Sequence, residues 1–447
     1  MNNWNMINVL PPMLAGEELK ERLKILPDYN ENIRLESQAV RLMALNDIYK
    51  VYLPSAMSCE IYSKIYLAML RSLQKKGTKL VVQQRIANFK GMKQQNGYTG
   101  LIGGSDSFTI IGTSGIGKSS AISRAINIAT ENRVIAMEEP YCKIIPSVVV
   151  QCPFDCSVKS LLLQILKQVD EEIDTHYFDI AVRSKATVDI LIGSVSQVAL
   201  NHIGLLVVDE IQNILNHKQG KSLVGCLTQL INSSGISICM VGTPEAERFF
   251  ESVDYLARRA LGLSYGKYEY NMYFKQVCEL LFSYQYVQKE TAISDSIIQW
   301  LYEHSGGVLA VVVSLIHDAQ EISIWNGREQ LDLISLNEAY EQRMKMLHTH
   351  IQSTVQVKKR TPKTRNNKTA LEIVNGCMLE ENACVEDIQQ YDTNKELFEE
   401  TDICTPIMDK ERSYDWDFMG LAEQAKKEKL DMVQLLKNKI SITEVVV

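Results

Sequence analysis

The stretch Gly112-Thr113-Ser114-Gly115-Ile116-Gly117-Lys118-Ser119 constrains this chain more than any other part of it. Its glycines let the backbone curl tightly enough for successive N–H groups to converge on one point, which a Cβ at those positions would hinder. Residues 108–111, just before it, form a short apolar, β-branched run expected as a strand, and helical periodicity begins at Lys118. A strand, a glycine loop and a helix in that order make a cradle for phosphate oxygens, because the loop N–H groups and the positive end of the helix dipole face the same anion. On this reading Gly112, Thr113, Ser114, Gly115, Ile116, Gly117, Lys118, Ser119 and Ser120 bind a nucleoside triphosphate. Lys118 reaches the β- and γ-phosphates, and the Ser119 hydroxyl coordinates Mg²⁺. A glycine-rich turn carrying a chance lysine is the bland alternative, and the strand and helix on either side argue against it.

A second pattern stands downstream. Leu205-Leu206-Val207-Val208-Asp209-Glu210 is an apolar run closing on two carboxylates. Ligands of open α/β sheets bind at the carboxyl ends of strands, which is where this pair would lie. Asp209 suits a metal held through water, and Glu210 suits the group that orients or deprotonates an attacking water. Either carboxylate alone could be a helix cap or a solvated loop residue. In Val241-Gly242-Thr243-Pro244 a hydroxyl follows another apolar run. Thr243 there can sense the γ-phosphate or cap a helix that Pro244 begins, and the two roles are compatible.

Further short apolar runs at 147–151, 204–208 and 236–241 alternate with helical stretches at 118–131, 157–172, 187–201, 221–233 and 245–256. Ser157 and Thr187 are expected N-caps. Strands alternating with helices imply an α/β fold in three layers with a mostly parallel sheet. Four regions are expected: a helical N-terminal extension (1–89), the α/β core (90–270), a small helical lid (271–353) broken at Ser305-Gly306-Gly307, and a basic linker with a flexible tail (354–447). The linker contains Lys358-Lys359-Arg360-Thr361-Pro362-Lys363-Thr364-Arg365, too cationic and too poor in apolar residues to pack.

Composition narrows the class without naming a partner. Hydrophobic residues at 46% and charged residues at 23% are those of a soluble globular chain. The net charge of -7 requires any nucleic-acid contact to come from a local basic face. No apolar run approaches the roughly 18 to 20 residues of a membrane span, and the first residues lack a signal-peptide pattern, so a cytoplasmic protein with reduced thiols is expected. Cys152 and Cys156 are a close pair with no second pair at zinc spacing near them.

These motifs, in this order, resemble the AAA+ ATPases, and the detail around them resembles the transposition-regulator branch, TnsC with its relatives TniB and MuB. The resemblance is carried by Leu26-Pro27-Asp28-Tyr29-Asn30, by Tyr49-Lys50-Val51-Tyr52-Leu53-Pro54, by Cys152-Pro153-Phe154-Asp155-Cys156-Ser157-Val158-Lys159-Ser160-Leu161, and by Ile211-Gln212 after the carboxylates. It implies an ATP-dependent regulator that forms rings or helical filaments on double-stranded DNA, touches backbone phosphates, and links a target-selection protein to the transposase. It also implies that Arg258 or Arg259 inserts into a neighbouring subunit's site as an arginine finger; alternatively the pair complements a helix dipole and stays in water. The DNA-facing channel loop of the family best matches Arg183-Ser184-Lys185-Ala186-Thr187, with a solvated helix-start loop as the other reading. The tail beyond Leu371 is expected to meet the transposase subunits. The lid turn carries no basic residue of its own, a departure from many AAA+ lids that points to slow hydrolysis. Two other classes compete: a different AAA+ or STAND-type switch such as an origin-loading ATPase, and an adaptor that binds nucleotide without turnover, which an intact Glu210 argues against.

Overall fold

Along the strand Ile203–Asp209 consecutive side chains go to opposite faces, as the two-residue period of a strand requires. Leu205 and Val207 enter one apolar core, whereas Leu206 and Val208 enter another. A strand buried on both sides must lie inside a sandwich of helices, and it does. The computed structural model describes residues 10–76, 78, 81, 107–138, 141–215, 220–251 and 262–348. All lie in one compact unit, Met1–Lys363. Arg258, Arg259, the basic stretch from Lys358 and the tail beyond Leu371 fall outside the described residues.

The sheet has the strand order β2-β3-β4-β5-β1-β6. Its members are β1 (Ser107–Gly112), β2 (Ile135–Glu138), β3 (Tyr141–Gln151), β4 (Ile203–Asp209), β5 (Ser237–Gly242) and β6 (Leu263–Tyr265). All neighbours run parallel except β2, which pairs antiparallel with β3. The three-layered, mostly parallel architecture expected from the sequence is therefore present. Strands β2 and β6 were not anticipated; at four and three residues they are too short to carry a periodic signal.

One face of the sheet is covered by α1 (Gly16–Leu23), α3 (Ala56–Lys76) and α4 (Lys118–Thr130). The other carries α5 (Val158–Ile173), α7 (Val188–His202) and α8 (Gly220–Ser234). Ser157 caps α5 through its hydroxyl, which accepts from the Ser160 N–H at 3.3 Å. Thr187 takes the N-cap position of α7, but its side chain makes no capping bond. Helix α3 ends on a buried lysine, Lys76, whose Nζ donates to the carbonyls of Ala199 and Leu200 at the C-terminal end of α7, each at 2.7 Å. A cation there is stabilised by the negative end of the helix dipole.

The lid consists of α10 (Met272–Ser283), α11 (Asp295–Ser305), α12 (Leu309–Trp325) and α13 (Leu333–Arg343), with a core of its own; α2 (Gln38–Leu45) joins that core from the N-terminal side. The chain bends by 119° between α11 and α12. Gly307 makes the bend possible: its φ is +78°, and a Cβ there would meet the Tyr268 carbonyl oxygen at 2.1 Å. Helix α13 starts at Leu333, where Asp332 and Ser335 form a capping box ahead of the apolar positions. Among the described residues no single helix is long and apolar enough to cross a membrane.

The N-terminal extension is divided between the two bodies. Leu19, Leu23 and the buried face of α3 join the core, whereas Leu45 and Ile48 join the lid. A buried ion pair fastens the second part: Arg41 forks onto Glu329, Nη1 to Oε2 at 2.6 Å and Nη2 to Oε1 at 2.7 Å, and Nη1 also donates to the Tyr286 carbonyl at 2.9 Å. Burial alone would raise the Glu329 carboxyl, but the Arg41 bonds and the Gln288 N–H hold it below the usual carboxylate range. Its stabilising effect is therefore present above the unfolded carboxyl pKa and is lost as pH falls through the lower folded value. Arg41→Ala strands Glu329 without its partner, and we expect a loss of about 3–5 kcal/mol in chemical denaturation. A loss within about 0.5 kcal/mol, the range of a neutral surface change, would contradict this reading.

Candidate active site

The C-terminal ends of β1, β4 and β5 stop at Gly112, Asp209 and Gly242, on one edge of the sheet. Because β1 is flanked by β5 and β6, the strand order reverses there and a crevice opens. Into it the loop after β1 carries two glycines in the left-handed region, Gly115 at φ +80° and Gly117 at φ +97°. Gly117 is the N-cap of α4 and offers no side chain, which leaves the first-turn N–H groups of the helix for a ligand. Gly112 is also fixed sterically, since a Cβ would stand 2.9 Å from the Tyr265 carbonyl oxygen.

Lys118 folds back over this loop and donates to the carbonyls of Gly112 at 2.6 Å and Thr113 at 3.0 Å. Burial pulls its ammonium below the ordinary lysine value, against the opposing fields of Asp209, Glu210 and Glu245. Ser119 Oγ donates to Asp209 Oδ2 at 3.3 Å, which brings the two expected metal-holding groups together. Asp209 Oδ1 accepts the Glu210 N–H at 2.8 Å, and Glu210 itself sits in the left-handed region at φ +57°. A hydroxyl beside a carboxylate offers the hard oxygen donors that Mg²⁺ prefers.

Thr243 closes the same crevice. Its Oγ1 is buried and has no hydrogen-bond partner among the described residues, so a polar atom waits at the strand end where a phosphate sensor was expected. Its N–H donates to Gln212 Oε1 at 3.2 Å, and Gln212 Nε2 in turn donates to Glu210 Oε2. In the sequence Gln212 stands out only through a family resemblance; nothing in the local pattern announces this bridge.

The crevice continues into a cleft of about 480 Å³. Its phosphate end is polar, and its far end is apolar, lined by Val51, Leu53, Tyr273, Val277, Leu309 and Val313. The strip Val51–Ser55 is held there by the lid and the segment leading into it: Tyr273 Oη donates to the Leu53 carbonyl at 2.8 Å and Tyr268 Oη to Ser55 Oγ at 3.1 Å. The lid also touches the phosphate loop. The Ala310 N–H donates to the Gly115 carbonyl at 3.0 Å, and a Cβ on Gly115 would meet Val308 Cγ1 at 2.8 Å. The sequence shows the tyrosine-rich motif 49–54 but not its position on the cleft, because a non-periodic strip reveals its neighbours only after folding.

Cys152 and Cys156 brace the carboxylate loop. The Cys152 N–H donates to the Asp209 carbonyl at 2.8 Å and Cys156 Sγ to the Asn213 carbonyl at 3.0 Å. Burial raises both thiols, which keeps them protonated. Among the described residues the only cluster with metal-ligand geometry is His317, Asp318 and Glu321 on the lid. Arg343 already pairs with both of its carboxylates, so a guanidinium supplies the positive charge there.

Arg183, Lys185 and Thr187 are exposed and lie together at one turn. The turn stands ahead of α7 as expected; Arg183 itself ends a short helix, α6 (Tyr177–Arg183), which the sequence pattern does not announce. Lys185 takes φ +50°, its N–H bonded to the Val182 carbonyl at 3.1 Å, while Ala186 is buried and pins the turn.

Residues 104–266 match the model of the family described as "Bacterial TniB protein". This core is a TniB-type domain. The match covers both nucleotide motifs, Thr243 and the Arg183–Thr187 turn, but not the lid or most of the N-terminal extension. No curated protein matches the chain significantly. Among solved structures the chain is similar to Drosophila ORC bound to DNA, at 13% identity over 75% of each chain with a TM-score of 0.43. It is also similar to the Aeropyrum pernix ORC1 protein in complex with DNA, at 13% identity over 62% of this chain and 68% of that one, TM-score 0.40. A third likeness is to a Walker-type ATPase of Pyrococcus abyssi, at 12% identity over 62% of this chain and 76% of that one, TM-score 0.37.

Proposed function

We propose that this chain is an ATP-dependent AAA+ regulator of transposition, which oligomerises on duplex target DNA and links a target-selection factor to the transposase. The observation that carries the proposal is a phosphate loop, paired carboxylates and a strand-end threonine on one crevice of a TniB-type domain.

In this reading the triphosphate lies on the N–H groups of the loop and the first turn of α4, and the base enters the apolar end of the cleft. Lys118 exchanges its two carbonyl partners for β- and γ-phosphate oxygens, gaining a charged acceptor in a half-buried setting. Ser119 and Asp209 would hold Mg²⁺, which neutralises charge spread over the transferring phosphoryl group. Glu210 accepts the proton of the attacking water, and the Thr243 hydroxyl donates to the γ-phosphate. Because Ala310 bonds Gly115, filling of the loop is felt at once by the lid, and through Tyr273 and Arg41 by the N-terminal extension. Arg258 or Arg259 of a neighbouring copy completes the site. ATP then acts chiefly to hold an assembly together, and hydrolysis releases it.

DNA contact is assigned to Arg183, Lys185 and Thr187, two exposed cations and an N-cap on a turn held by its own backbone bonds. Lys185→Glu should lower duplex affinity and reduce the slope of log K against log salt by about 1. An unchanged slope in a fluorescence titration across salt would remove this turn from the DNA site. The tail beyond Leu371 is assigned the transposase contact. The function as a whole is tested by phosphate release with and without duplex DNA: turnover that responds to DNA supports it, and turnover blind to DNA contradicts it.

A further inference from the structure

The bridge between Glu210 and Thr243 has a chemistry of its own. Glu210 is exposed, at the end of a strand, and nothing in its own backbone fixes the direction of a three-torsion side chain. Gln212 lies on the short 3₁₀ turn Ile211–Leu215 that follows, and its amide is held at both ends. Nε2 donates to Glu210 Oε2, and Oε1 accepts from the Thr243 N–H at 3.2 Å. Only this orientation of the amide gives each bond a donor, because a carboxylate accepts and a backbone N–H donates. The space for it is set by Gly242: a Cβ there would stand 2.9 Å from Gln212 Oε1 and 2.7 Å from Ile211 Cγ2. One residue further, Thr243 presents its unpartnered buried hydroxyl to the same cleft.

We propose that Gln212 is a positioning residue for hydrolysis, tying the direction of the Glu210 carboxylate to the strand end that carries the Thr243 hydroxyl. A γ-phosphate that engages Thr243 then also fixes Glu210 against the attacking water, and without one the carboxylate is held but not aimed. The inference rests on the reading of Glu210 as the catalytic base. Gln212 touches neither the phosphate nor the water; it acts through Glu210. With one carboxylate oxygen occupied by the amide, Oε1 is the oxygen left to take the proton.

The test uses the full chain with ATP, Mg²⁺ and duplex DNA, and measures hydrolysis under saturating ATP together with ATP affinity and the pH profile. Gln212→Ala should lower kcat about tenfold or more while ATP affinity changes no more than about twofold, the split expected when only transition-state geometry is lost. Gln212→Glu keeps the size of the side chain but faces Glu210 with a like charge. The acid limb of its kcat profile should move to higher pH, since a neighbouring carboxylate favours the protonated form of the pair. In a Thr243→Ala background, Gln212→Ala should cost no more than about twofold further, because the two act as one unit. Wild-type kcat in Gln212→Ala, an unmoved acid limb in Gln212→Glu, or full multiplication of the two losses would each overturn the proposal. Loss of ATP affinity in both Gln212 variants would do so too, by making the role structural. Absence of hydrolysis in the wild-type chain would instead remove the underlying reading of Glu210.

Discussion

Lys118→Ala is expected to weaken ATP binding by about 100-fold or more and to abolish nucleotide-dependent assembly. The size of the effect follows from where the ammonium sits. It is half-buried, and burial already depresses its pKa, so its charge acts on a phosphate through less water than a surface lysine would. It also donates to the Gly112 and Thr113 carbonyls, and alanine leaves both loop oxygens without that donor. Both of those bonds lie within the loop itself, so thermal unfolding should shift by only a few degrees. Titration with a fluorescent ATP analogue, beside a melting curve, separates the two effects. Affinity within threefold of wild type would mean that the loop is not the triphosphate site.

Glu210→Gln should lower turnover by about 10²–10⁴-fold while leaving ATP and DNA binding nearly intact. The isosteric amide still presents an oxygen to Gln212 Nε2, and Asp209 Oδ1 still accepts the residue-210 N–H, so the crevice keeps its shape. What disappears is the proton acceptor. If hydrolysis disassembles the complex, this variant should remain on duplex DNA long after wild type has left, as a chase with unlabelled duplex would show. Loss of DNA binding altogether would contradict gating by ATP.

How much of this was legible beforehand differs residue by residue. Gly112–Ser119 and Asp209-Glu210 could be read because their chemistry demands contiguous residues: a glycine turn must be followed at once by its lysine, and a strand by its carboxylates. The four main strands could be read because burial on both faces forces uninterrupted apolar runs such as Leu205 to Val208. The role of Gln212 could not, since it depends on Glu210 and Thr243 meeting across a strand pairing. The same holds for Val51–Ser55, which belongs to the cleft only because Tyr268 and Tyr273, more than 200 residues away, hold it there. The partition of the N-terminal extension was hidden for a similar reason. Helical periodicity reports that α2 and α3 each have an apolar face, but not that one face meets the lid and the other the sheet. Helix α6, which ends at Arg183, was not legible because seven residues are too few to show a period.

The central claim is that ATP in the Gly112–Ser119 crevice gates assembly on DNA. Electron micrographs of the full chain with duplex DNA and a non-hydrolysable ATP analogue, compared with the same mixture lacking nucleotide and with Lys118→Ala, test it most directly. The account predicts rings or filaments threaded by DNA in the first sample and none in the other two. Assemblies that form equally well without nucleotide, or single particles in all three, would contradict it.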